Sequence, residues 1–457
     1  MTDQSLRIGA GAGFADDRIE PAVAMAEASA VDYLVFECLA ERTVAREVQA
    51  RHADPDAGFN PHLRARMQAV LPAVVRNKIR IVSNMGAANP AAAARATVEV
   101  ADNLGLSGLR AAAVTGDDVT EAVRARAGLV LTESGDPVES ILPHIVSANA
   151  YLGADAVLAG LATGADVVLT GRVADPSLFL APAMHHFGWG AADLDRIAAG
   201  TIMGHLLECA AQLTGGCFAD PTRPEKQVPG MDNIGNPIAF IGADGALDLT
   251  KLAGTGGRLD RRTATEQLLY EVHDPARYIT PDCILDMTGV DLTETGPDRV
   301  RVTGARADGP PEQIKVLIAY TEGYIGEGQV GYAGIGAVER ARLAAQVVQD
   351  RLRRRGFSYD EIRIDLIGCT SLHGAASGRS DPYEVRLRVA ARCSDRAAAA
   401  AVGFEVRAMH VNGPTGGGGG SVASVRDVMA VQSVLIPRDL IQVGVEVFGG
   451  GVHDTGA

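Results

Sequence analysis

The first half of the chain alternates short apolar runs with longer stretches in which apolar residues recur every three or four positions. The runs LRIGAG (6–11), VDYLVFE (31–37), KIRIVSN (78–84), GLRAAAVTG (108–116), AGLVLT (127–132) and ADVVLTG (165–171) show little polar alternation. A strand that is apolar on both faces belongs in a sheet covered on both faces. Between these runs, Ile19–Ser29, Pro90–Asn103 and Ser147–Thr163 have helical spacing. The pattern predicts an α/β fold over residues 1–225, a mostly parallel sheet with covering helices.

From about Val228 the texture changes. Turn-rich text (MDNIGNPIAFIGADGALDLT) leads into strand-like RVRVTGAR and QIKVLIAYTEGYI, a helical Val338–Arg355, the strands EIRIDLIG and EVRLRVAARC, and a helix from Asp395 to Met409. Helices segregated among strands predict a second, α+β domain over residues 226–457. Its Gly-rich loop, 413–420, lies within HVNGPTGGGGGS. A phosphate-binding P-loop has a strand before it, a helix after it and a Lys close behind. Here the order is reversed and the Lys is missing. Two readings stay open: a linker, or a flap over a pocket in which Asn412 and Gly416 touch an anionic group.

Composition narrows the class. The 457 residues, 47% apolar and 21% charged, suit two or three ordered domains, and 4% aromatic content means cores of Ala, Val, Leu and Ile. A net charge of −14 argues against nucleic acid or an anionic membrane as partner. The six cysteines are scattered with no CxxC pair, which suits reduced thiols. The start MTDQSLRIGAG has no signal pattern, and the apolar region 148–169 is broken by Asp155 and Asp166. The expectation is a cytoplasmic protein.

In parallel sheets the chemistry collects at the carboxyl ends of the strands. After the first run comes IGAGAGFADD, where Gly9, Gly11 and Glu37 match parts of a dinucleotide fingerprint. Phe14 occupies the third glycine position and Gly13 falls one residue early. An NAD(P)-dependent oxidoreductase is therefore one alternative; the other makes Gly13 and Glu37 lining residues of a different pocket. After the third run, SNMGAANP offers Asn84 and Gly86, with Asn89-Pro90 able to open a helix. After the last, GRVADPSL offers Arg172, a natural carboxylate or phosphate ligand, and Asp175, which could brace it.

The helical stretch AAGTIMGHLLECAAQL, from Ala198 to Leu213, places Thr201, His205, Glu208 and Gln212 on one face among apolar and small residues. A solvent-facing stripe usually carries Lys, Arg or Asp, and this one has none. His205 and Glu208 form a candidate acid–base pair, with Gln212 orienting it, and burial would raise Glu208 toward neutrality. Gly215 and Gly216, just beyond, could offer amides to an oxyanion. The same His and Glu are half of a carboxylate–histidine metal site whose second half is missing. No metal and no cofactor are expected.

The segments LVFECLAERT, SNMGAANP, GRVADPSL, GHLLECAAQLTGG, YITPD and NGPTGGGG together resemble the acyclic terpene utilisation, AtuA-like, family over residues 5–445. The densest is ECxxQxTGG, although Ala210 stands where the family pattern has glycine. The resemblance implies bacterial breakdown of citronellol- and geraniol-type compounds through acyl-CoA intermediates. It implies as neighbours a biotin-dependent acyl-CoA carboxylase, an enoyl-CoA hydratase, or a separate small C-terminal-type domain. The expected function is hydration, dehydration or lyase-type chemistry on a branched acyl-CoA or related carboxylate, in a homo-oligomer. In that scheme Glu208 is the base, His205 its partner, Arg172 the anion ligand and Gly215-Gly216 the oxyanion donors. A non-catalytic acyl-CoA-binding or scaffold subunit is the third alternative.

Overall fold

The computed structural model describes residues 5–377, 381–419 and 423–450. The chain divides into two compact units, Met1–Ala319 with Val431–Ala457, and Tyr320–Ala430.

The first unit holds a ten-stranded sheet. Its middle consists of β1 (Leu6–Ala12), β2 (Tyr33–Phe36), β3 (Arg80–Ser83), β4 (Arg110–Thr115) and, after a separate β5 (Ile145–Ala150), β6 (Val167–Thr170). These run parallel in the order β1-β2-β3-β6-β4. Beyond β1 lie antiparallel β7 (Pro237–Ile241) and β8 (Leu247–Lys251). A small separate sheet is built from β9 (Tyr278–Ile279), β10 (Ile284–Asp286) and β13 (Arg306–Asp308). The hairpin of β11 (Asp291–Gly296) and β12 (Arg299–Thr303) extends the large sheet past β8. At the other edge β19 (Gly444–Gly449) pairs antiparallel with β4.

The large sheet is therefore mixed, and the expectation of a mostly parallel sheet holds only for its middle. The antiparallel flanks come from residues 237–303 and 444–449, where the strand text is turn-rich. Residue 225 lies in a short 3₁₀ turn, Pro224–Lys226, inside the first unit.

Both faces of the parallel strands are covered. On one, Phe36, Ile81, Ala113 and Leu169 pack with α1 (Glu20–Glu27), α3 (Leu63–Arg76) and α4 (Pro90–Asn103). Before α3 comes α2 (Glu41–Ala53), whose text is too polar to stand out. On the opposite face, beyond the short α5 (Thr120–Arg124), α6 (Ala154–Ala162) packs on β4 and β6. Gly160 allows this approach: a Cβ there would lie 2.6 Å from Val168. Next on that face are α7 (Asp175–Phe187) and α8 (Leu194–Leu207), packed on each other. A last helix of this unit is α9 (Arg261–Leu268), opened by an Asp260/Thr263 capping box.

Two local expectations fail. Residues 127–132 are not a strand: Val130 is exposed and makes only an isolated bridge to Pro137. The helix expected over 147–163 is β5 followed by α6, separated at Gly153, whose extended backbone starts the helix.

In the second unit the later part of β14 (Gln313–Ala333) pairs with β16 (Glu384–Cys393), which pairs with β15 (Glu361–Ile367). Here α10 (Ala337–Arg354) and α11 (Arg396–Asn412) cover β16. The spacing of α10 shows why: Ala337, Ala341, Ala344, Ala345, Val348 and Leu352 share one buried stripe. Val385, Leu387 and Val389 of β16 enter that core, while Arg388 faces away and pairs with Glu327 and Asp365. The short β17 (Gly417–Gly418) pairs with β14, as does β18 (Ser424–Pro437).

Candidate active site

The carboxyl ends of the parallel strands place five residues in a row across the sheet: Gly13 after β1, Glu37 after β2, Asn84 after β3, Arg172 after β6 and Asp117 after β4. The helices that follow β3 and β6, α4 and α7, lie on opposite faces, so the connections change sides of the sheet between Asn84 and Arg172, the position at which sheets of this kind place their chemistry.

Asn84 ties the end of β3 to the segment that follows β2. Its Nδ2 donates to Glu37 Oε1 at 2.9 Å and its Oδ1 accepts from the Cys38 amide at 2.7 Å. The Leu39 amide donates to the same Glu37 oxygen at 2.8 Å. Burial, with the charge of Asp175 nearby, pushes Glu37 up to about 8 against the opposing pull of Arg172.

Arg172 is fully buried and its donors serve the protein. It donates to Leu39 O, to Val173 O through Nε at 3.1 Å and Nη2 at 2.8 Å, and pairs with Asp175. Its guanidinium lies 4.5 Å from the centre of the Tyr151 ring. Arg172 is thus a clamp on Asp175, with its hydrogen bonds already made, in place of the open anion ligand suggested by the sequence. The Asp175 side chain is 35% exposed and lines an open cleft with about 710 Å³ of empty space. Tyr151, Tyr278, Ile314, Lys315 and Leu435 also line it. Desolvation raises the Asp175 carboxyl although the Arg172 charge opposes it.

Glu208 and His205 lie at the end of α8. Glu208 Oε1 is 3.3 Å from His205 Nδ1, an ion-pair distance, and both His205 Nδ1 and Glu208 Oε2 are buried without a hydrogen-bond partner. His205 Nε2 is 3.0 Å from Leu268 O. A carbonyl only accepts, so Nε2 carries a proton and Nδ1 faces the carboxyl as the site of the mobile one. Burial pushes Glu208 up to about 7, with His205 opposing. His205 is raised, because its contacts with Glu208 and Leu268 O outweigh its own burial. The Tyr278 ring, which lines the cleft, is 5.0 Å from the His205 ring, and its hydroxyl is held protonated by burial and by the charges of Glu208 and Asp175. Tyr278 therefore joins the buried pair to the cleft. Gly13 abuts the same region: a Cβ there would lie 2.5 Å from the Cys209 carbonyl carbon.

Several expected residues have other places. Helix α8 ends at Leu207, and Ala210 turns left-handed at φ +43°, so Gln212 sits in a separate 3₁₀ turn and does not continue the His205–Glu208 stripe. Gly215 and Gly216 donate their amides to Gln212 O and Ala211 O, which leaves neither for an oxyanion. At Gly86 a Cβ would lie 2.5 Å from Thr170 O, so this glycine packs the end of β3 on β6. Gly9 and Gly11 lie inside β1 against Val31 and Phe36, and α1 begins only at Glu20. They do not form the turn into a helix that would hold a pyrophosphate. Asn412 and Gly416 belong to the second unit, where Asn412 caps Ala408 O and Gly416 sits at φ +75° beside Arg340. Gly420 and Ser421 of the glycine run lie outside the described residues.

Sequence reasoning passed over Asp117, Tyr151 and Tyr278. Asp117 is buried, pushed up to about 6 by burial, and its Oδ2 accepts from the Arg172 amide at 2.9 Å and from Asn149 Nδ2 at 3.0 Å. It directly follows a strand that was visible, and Tyr278 lies in the noted motif YITPD. Among the described residues no three His, Cys, Asp or Glu side chains are grouped to hold a metal ion, and no helix is long and apolar enough to cross a membrane.

The family model described as acyclic terpene utilisation family protein AtuA matches residues 6–447. The chain belongs to this family. No curated protein matches it. The AtuA match spans both units and includes every element of the row, the Arg172–Asp175 clamp and the His205–Glu208 pair. It connects the protein with acyclic terpene utilisation.

Proposed function

We propose that this AtuA-family protein is an acid–base enzyme of acyclic terpene utilisation, acting on a branched acyl thioester or related carboxylate by hydration, dehydration or lyase-type chemistry. The observation that carries the reading is the Glu208–His205 pair: a carboxyl near neutrality, 3.3 Å from an imidazole, with one oxygen buried and unpartnered. Such a pair sets two titratable groups, both with raised proton affinity, next to each other, so that a proton can pass between them when the carboxyl closes on Nδ1. In this reading the substrate enters the cleft against Tyr278 and Asp175. Glu208 exchanges the proton, His205 keeps the carboxyl poised, and the buried Arg172 holds Asp175 in place. No redox cofactor is called for in this scheme.

The test is exchange of solvent deuterium into a branched enoyl thioester, followed by NMR. Glu208→Gln keeps the shape and removes the titrating oxygen. Exchange should fall by about 10²–10⁴-fold while the circular dichroism spectrum of the folded chain is retained. Exchange at the unsubstituted rate in that variant would sink the assignment.

A further inference from the structure

A second cleft opens at the carboxyl end of β4, with about 1120 Å³ of empty space. Its floor includes Asp117, Ser147 and Asn149, and its rim carries Arg51 and His52 from the last turn of α2 and Arg124 from α5. It shares no lining residue with the cleft at Asp175.

The floor is short of hydrogen-bond partners. Asn149 must turn Nδ2 toward Asp117 Oδ2, because a carboxylate accepts, and the bond is 3.0 Å long. That orientation leaves Asn149 Oδ1 buried without a partner, and Ser147 Oγ is in the same position. Both residues are only 2% exposed. Buried polar atoms in a finished core are almost always paired, so two orphans under one cleft call for outside partners, a donor at Asn149 Oδ1 and a donor or an acceptor at Ser147 Oγ.

The rim supplies the opposite chemistry. Arg51 donates Nη1 to Ala88 O at 2.8 Å and makes no ion pair among the described residues, and His52 makes none either. Of the acids on the lining, Glu121 pairs with Arg124 at 3.1 Å, while Asp118 accepts from Thr120 N at 3.1 Å and Thr120 Oγ1 at 2.7 Å, bonds that fix one of its oxygens but leave its charge. The Arg51 guanidinium, without an ion pair at the rim, and the unpartnered Asn149 Oδ1 and Ser147 Oγ at the floor fit a molecule with an anionic end and hydroxyl groups.

We propose that this cleft binds a small hydroxylated organic anion, its hydroxyl groups meeting Asn149 Oδ1 and Ser147 Oγ and its anionic group meeting Arg51 and His52. The site is independent of the acid–base reading, since none of its residues lies in the Glu208–His205 pair.

Titration calorimetry of the full chain tests it, with 3-hydroxybutyrate as a carboxylate, glycerol 3-phosphate as a phosphate, and glycerol, butyrate and inorganic phosphate as single-feature controls. One hydroxylated anion should bind about tenfold or more tightly than its controls, and which one identifies the anionic group. Arg51→Ala and Asn149→Ala should each weaken that binding by about tenfold, while Glu208→Gln leaves it unchanged. Arg51 is on the exposed rim, so its variant tests the proposal even where Asn149→Ala disturbs the fold. No binding by either anion, equal binding by the controls, or binding indifferent to Arg51→Ala overturns the proposal.

Discussion

Buried carboxyl groups set the character of this molecule residue by residue. Glu37, Glu208, Asp117 and Asp282 are all raised by burial, to about 8, about 7, about 6 and about 6. The folded chain therefore keeps protons that the unfolded chain releases at ordinary carboxylate values of 3.8 and 4.5. Stability from these groups is complete below those values and is lost as pH rises through the folded ones. His205, also raised, adds stability that is present below its ordinary 6.5 and fades above. The lowered carboxyls Glu41 and Glu327 act below 4.5 and leave this window untouched. The urea midpoint should therefore fall between about pH 5 and about pH 8, and Glu37→Gln should flatten the fall; a midpoint that climbs over this interval contradicts the assignment. Glu208, Arg172 and Asn84 were noticeable in the sequence because they are polar where apolar text surrounds them. Tyr151 and Tyr278 were not, since an aromatic residue in a loop, or in a two-residue strand such as β9, carries no mark of what lies across the cleft from it.

At the scale of elements, the site depends on how α8 ends and how closely it lies to α7. A helix continued to Leu213 would have kept Gln212 on the stripe, and periodicity alone favours that reading. The chain instead leaves the helix at Glu208 and passes Ala210 at φ +43°, a conformation in which a Cβ is crowded by backbone. This is the position at which the family pattern suggested glycine. Ala210→Gly should relieve that crowding, offset in part by the entropy of glycine, for a net gain of up to about 1 kcal/mol. Chemical denaturation reads it directly, and a loss beyond about 1 kcal/mol would mean that the buried Ala210 methyl matters more than the turn. Gly204 is the opposite case: a Cβ there would lie 2.4 Å from Pro176 O, between α8 and α7. Gly204→Ala should cost about 1–3 kcal/mol by forcing the helices apart. Because Asp175 begins α7 and His205 is on α8, it should also lower exchange activity; unchanged activity would show that the spacing of the two helices does not set the site.

On the scale of the whole molecule, the parallel middle was legible from apolar runs, while its limits were not. Those runs identify strands buried on both faces, and β1, β2, β3, β4 and β6 are of that kind. The flanking strands follow no single pattern: β12 alternates, with Val300 and Val302 buried and Arg301 exposed, while β7 is apolar and mostly buried and β19 is mostly exposed. Which sheet such a strand joins is decided by long-range pairing that local text does not carry. The clearest instance is β19, which returns from the end of the chain to pair with β4 in full register, from Gly444 opposite Thr115 to Gly449 opposite Arg110. Without it β4 would be an open edge of apolar residues, and such an edge invites pairing with another chain. Phe448 of β19 also packs against the core under α4, with Arg95 5.7 Å from its ring centre. Removing residues 442–457 should therefore lower stability by more than Phe448→Ala, which alone should cost about 1 kcal/mol, less than a fully buried ring because Phe448 is only partly covered. The truncated chain should also aggregate in a concentration-dependent way when light scattering is followed near its midpoint. A truncated chain that does not aggregate and is as stable as the full one would mean that β4 needs no cover.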